Sequence, residues 1–153
     1  MTTASPHAHG IHFGRADVQN AGMGVGILLI LVGVLGFIPG VTSRYSELVF
    51  LGPNSHAMFL GLFQVSMLLN IVQLAIGATG WAMSRTEHGA RNFLLGAGAL
   101  YVILAIFGLS VGVDSAANFL SFNMTDNWTH LVLGVAMVAA GWLFSRSMAG
   151  ERK

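Results

Sequence analysis

Gly22 to Ile38 reads GMGVGILLILVGVLGFI, a run without a single charge. An apolar helix needs about 20 residues to cross a hydrocarbon core of about 30 Å. The glycines point the same way. In water each would weaken a helix by roughly 0.5–1 kcal/mol relative to alanine. In lipid, small residues let neighbouring backbones approach closely, which is where helix association finds its packing energy. The stretch therefore reads as a transmembrane helix. It is too long for the core of a cleaved signal peptide, and no Ala-x-Ala site follows it.

Three further stretches share this character: Ala57 to Met83, Phe93 to Val113 and Trp128 to Phe144. Over the 153 residues, 54% are hydrophobic and 8% are charged. A soluble domain carries about 25% charged residues, so the bilayer is the expected solvent. The expectation is an all-α, four-helix transmembrane bundle. A cytoplasmic tail at 1–19 precedes the membrane domain at 20–147, and a second tail follows at 148–153. A net charge of +1 gives no basis for nucleic-acid binding. The absence of cysteine excludes disulfides, thiolate metal sites and cysteine nucleophiles.

Cytoplasmic flanks of membrane helices are enriched in Lys and Arg. With the N-terminus inside, Arg15, Arg85, Arg91, Arg146, Arg152 and Lys153 face the cytoplasm, and only Arg44 lies outside. Both termini are thus expected to be cytoplasmic. Few Lys and much Ala and Gly suggest a bacterial plasma membrane. The polar N-terminal tail carries His7, His9 and His12, a weak metal-binding pattern.

The two halves resemble each other. Gly24, Gly26 and Gly40 recur 72 residues later as Gly96, Gly98 and Gly112, and Gly80-Trp81-x-x-Ser84-Arg85 recurs at an offset of 61 as Gly141-Trp142-x-x-Ser145-Arg146. Two spans per unit return the chain to the same side, so the units are expected to be parallel two-helix repeats. Small residues at spacings of three and four mark packing faces. These are Gly22, Gly26, Gly33, Gly36 and Gly40 in the first span, and Gly98, Gly108 and Gly112 in the third.

The second span carries the most polar face: Ser66, Asn70 and Gln73. An amide has no partner in hydrocarbon, so this face must turn toward protein or a wet cavity. Tyr101, on the small-residue face of the third span, is a candidate partner through its hydroxyl. His56 and His130 fall at the expected external starts of the second and fourth spans. With Asp114 or Asp126 they form a candidate metal or haem site. No catalytic motif appears, and no ionisable residue lies deep within a span, so neither an enzyme nor an ion-coupled pump is indicated.

Four segments together carry a family resemblance: Gly36-Phe-Ile-Pro-Gly40, Leu60-Gly-Leu-Phe-Gln-Val-Ser66, Asp114-Ser-Ala-Ala-Asn-Phe119 and Asp126-Asn-Trp-Thr-His-Leu131 with Gly134. Across residues 15 to 147 the chain resembles a family of actinobacterial four-span membrane proteins known as a domain of unknown function. Members of that family often carry His-Asn-x-x-His in the second span. Here the positions read Leu69-Asn70-Ile71-Val72-Gln73, so only Asn70 matches. The resemblance implies a fold and no activity. The surplus of small-residue faces favours a non-catalytic accessory or scaffolding subunit that packs on other membrane proteins or on itself, with no cofactor. The alternatives are a small transport or channel protein using Asn70 and Gln73, and a redox protein using His56 and His130.

Overall fold

The computed structural model describes residues 17–150, with side chains to residue 144. His7, His9, His12, Arg15, Arg152 and Lys153 lie outside the described residues. The fold is built on four helices: α1 (Asp17–Leu35), α2 (Met67–Met83), α3 (Glu87–Ser110) and α4 (Met124–Gly150). Three are long and apolar enough to cross a membrane: α1, α3 and the part of α4 from Met124 to Phe144. The shorter α2 is also apolar. Because α1 starts at Asp17, residues 17–19 belong to the helical domain rather than to a tail, and Val18 is buried among Ala90, Phe93, Leu94 and Met137.

The second apolar stretch departs most from expectation. Only Met67–Met83 is helical. Residues 57–66 form a hairpin of β2 (Met58–Phe59) and β3 (Phe63–Gln64), and β1 (Thr42–Ser43) pairs with β2. All three strands are antiparallel neighbours, with Thr42 opposite Phe59 and Phe59 opposite Phe63. Leu60 and Gly61 both take positive φ, at 52° and 71°, which reverses the chain and forbids a continuous helix. Ser66 then caps α2 by accepting from the Leu69 N–H at 3.2 Å. The fold is therefore mostly, not wholly, helical.

Helices pack in antiparallel pairs, α1 on α2 and α3 on α4. The crossings are backbone to backbone. A Cβ on Gly26 would lie 2.9 Å from the Gly77 carbonyl, and one on Gly77 would lie 2.7 Å from that of Gly26. Gly98 and Gly134 make the same contact in the second pair, at 2.9 and 2.8 Å. Gly36 faces the Asn70 amide as Gly108 faces Asn127. Ser66 caps α2 as Asn123 caps α4, whose carboxamide oxygen accepts from Asp126 N–H. Equivalent contacts thus recur at 72 residues for the first helix of each pair and at 57 for the second. The offset of 61 read from the Gly-Trp motif lies one helical turn off this register: Gly80 faces the Phe93 ring, whereas Gly141 faces Leu94 and Leu95.

Two glycines assigned to packing faces do not pack. Gly40 sits at φ 95° in the turn after α1, and Gly112 follows the end of α3, each with open space where a Cβ would stand. Gly22, Gly26, Gly33, Gly36, Gly98 and Gly108 all meet neighbouring helices.

The loops at the hairpin end are bound to one another. Gly52 N–H donates to the Phe119 carbonyl at 2.8 Å, Met67 N–H to the Val49 carbonyl at 3.0 Å, and the Asn123 amide to the Leu62 carbonyl at 2.9 Å. Leu48, Phe59, Val65, Leu69, Leu120 and Phe122 form the core beneath them. The opposite end is closed by a three-residue turn between α2 and α3. Thr86 caps α3, and Gly89 is required there, because a Cβ would stand 2.1 Å from the Met83 carbonyl oxygen.

Candidate functional site

A cavity of about 430 Å³ opens beneath the hairpin, within the range of small-molecule sites. Its body is apolar. Leu28, Leu31, Val32 and Leu35 of α1 form one wall, and Phe59, Leu60, Phe63 and Val65 of the hairpin form the roof. Asn70 and Gln73 of α2, Tyr101 of α3, and Asp126 and His130 of α4 border it as well. Each of these five side chains is buried.

The α2 groups arrive by helix geometry. Asn70 and Gln73 are three apart and share one face, one turn below the Ser66 cap. Because α2 begins at Met67, they lie near its start. The reading of the span as 57–83 put them at its middle. The Tyr101 hydroxyl donates to Gln73 Oε1. Asn70 is fully buried, and neither its amide nitrogen nor its carbonyl oxygen has a partner. Gly36 provides the room for it, since a Cβ there would lie 2.3 Å from Asn70 Oδ1.

Asp126 and His130 are four apart on α4. Asp126 Oδ2 accepts from the backbone N–H of Gln64 at 3.1 Å and of Asn123 at 2.9 Å. The second bond completes a reciprocal cap with Asn123 at the start of α4. The carboxylate therefore ties the hairpin to the helix. His130 lies edge-on to Tyr101 and Phe122, with ring centroids 5.1 and 4.7 Å apart, and its Nδ1 is buried without a partner.

The expected grouping of His56, His130 and Asp126 does not form. His56 is exposed in the segment before β2, eleven residues before α2 starts, whereas His130 is inside the bundle on the second turn of α4. The two histidines are not equivalent, because the hairpin separates His56 from its helix. Among the described residues no three His, Asp or Glu side chains come together to hold a metal. The residue 57 positions before His130 is Gln73, and each stands three residues after a buried asparagine, Asn127 and Asn70. Sequence reading missed that pairing, which is visible as Asn70-x-x-Gln73 against Asn127-x-x-His130. It also missed the roof of the cavity, since an apolar run broken by one glycine reads equally as helix.

A family model described as a domain of unknown function (DUF4383) matches residues 19–143. No curated protein and no solved structure matches the chain.

Proposed function

The chain belongs to that family of unknown function, and from a premise that supplies no activity we propose that it is a membrane protein binding an apolar small molecule inside its helical bundle. One observation carries this reading: the cavity under the hairpin, apolar along its walls and open on the flank of the bundle at Leu28 and Leu31. An apolar cavity of this kind holds no water and gains dispersion contacts when an apolar molecule fills it. The role is non-catalytic. Asp126 is engaged by backbone N–H groups, and His130 is held between aromatic edges.

All four helices cross the membrane in this proposal. At about 1.5 Å per residue, the 17 residues of α2 span roughly 26 Å. The apolar hairpin, with Leu60 and Leu62 exposed, completes the crossing by sitting in the interfacial layer. The contacts recurring at 72 and 57 residues support a duplicated two-helix unit. The positive-inside rule supports cytoplasmic termini in a bacterial plasma membrane. The surplus of small residues that favours an accessory subunit is taken up within the bundle, where Gly22, Gly26, Gly33 and Gly36 meet α2 or α3.

Native mass spectrometry from mild detergent should find a bound apolar molecule, or saturable uptake of Nile red at one site. Leu31→Trp, which puts a large ring at the mouth, should abolish that uptake. Protein that carries nothing, and takes up the dye only in proportion to its detergent, would refute the reading.

A further inference from the structure

We infer that the cavity takes an uncharged lipid-like molecule with an apolar body, admitted sideways from the bilayer between α1 and α4. This rests on the reading of the cavity as a binding site and adds its ligand class and its entrance.

The class follows from the chemistry of the lining. The Asn70 carboxamide has no protein partner, but it is sealed against Gly36 and no ligand group reaches it. Among the described residues the wall contains no Arg or Lys, and it does contain Asp126. A carboxylate or phosphate headgroup would meet no counter-ion there and would be desolvated beside an acidic side chain. A cationic amine is little better served. The Asp126 carboxylate already accepts two backbone N–H groups through Oδ2, and the surroundings are otherwise apolar.

The entrance follows from exposure along the wall. Leu28 and Leu31 are 49% and 51% exposed, and Thr129 of α4 is exposed opposite them, whereas Leu29, Leu69 and Tyr101 behind are buried. The open side is thus the flank of the bundle between α1 and α4, where lipid chains run. The hairpin residues Phe59, Phe63 and Val65 cover the end of the bundle. A molecule with an apolar body reaches the cavity from the bilayer without crossing water.

The test uses three photoreactive probes of one chain length: a diazirine-bearing hexadecanol, hexadecanoic acid and hexadecylamine. Each is irradiated with the full-length protein in nanodiscs, with and without excess unlabelled hexadecanol, and labelled peptides are mapped by mass spectrometry. The alcohol should label the Leu28–Leu35 and Thr129–Leu133 segments competably, at least about tenfold more than the acid or the amine, since burying an uncompensated charge costs more than burying a hydroxyl. Leu31→Trp should remove this labelling. Ile103→Trp, on the exposed face of α3 away from the cavity, should leave it intact. Equal or stronger competable labelling by the acid or the amine overturns the ligand class and leaves the site standing. Undiminished labelling of Leu31→Trp overturns the lateral entrance. If no probe labels the cavity segments competably, the binding reading itself fails.

Discussion

Asn70 and Gly36 depend on each other. The carboxamide occupies the space a side chain at position 36 would need, 2.3 Å from the place of a Cβ. Gly36→Ala must therefore push the amide or the α1–α2 crossing apart. Thermal aggregation in detergent should show a clear loss, in the range of about 1–3 kcal/mol for overpacking. Gly24→Ala meets nothing within 4 Å and removes a poor helix former, so its midpoint should be unchanged or higher. Equal losses in the two variants would mean that the crossing is not as close as described. The inward direction of Asn70 and Gln73 was legible in the sequence, because an amide has nowhere else to go in lipid. That Gly40 and Gly112 stand free of the packing was not. Spacing identifies a helix face, but it does not say where the helix stops.

At the scale of elements, the hairpin decides what the chain can hold, and Asp126 is what fastens it to α4. Its carboxylate satisfies the N–H groups of Gln64 and Asn123. Asp126→Ala leaves both without their acceptor, at a cost of about 1–3 kcal/mol for each one left buried. Hydrogen exchange should rise in the hairpin and at the start of α4, while Tyr101 and its neighbours on α3 stay protected. Unchanged protection at Gln64 would show that the hairpin is held by its other contacts. The hairpin was hidden in the sequence. Ala57 to Ser66 is apolar enough to extend a helix, and only the left-handed backbone at Leu60 and Gly61 turns it into two strands. A leucine gives no local sign of that conformation. The burial of its neighbours Ala57, Phe59 and Val65 with Leu120 and Phe122, far along the chain, selects it.

For the whole molecule the first question is which side faces out. The chain has no cysteine, so single cysteines report cleanly. Ser46→Cys, exposed at the hairpin end, should react with an impermeant maleimide in intact cells. His88→Cys, exposed beside the α2–α3 turn, should react only after permeabilisation. The reverse pattern would overturn the orientation. The scarcity of charge and the glycine-rich apolar runs were enough, without coordinates, to read helices made for lipid, because the solvent acts on composition and periodicity. The length of α2, the 57-residue register of the second helices, the separation of His56 from His130 and the cavity itself were decided only by tertiary structure. Each depends on contacts between residues distant in sequence: Gly26 against Gly77, Gln64 against Asp126, Tyr101 against Gln73. Sequence periodicity records which face of a helix is buried. Which groups meet across that face, and where they leave a space, follows from the packing of whole helices.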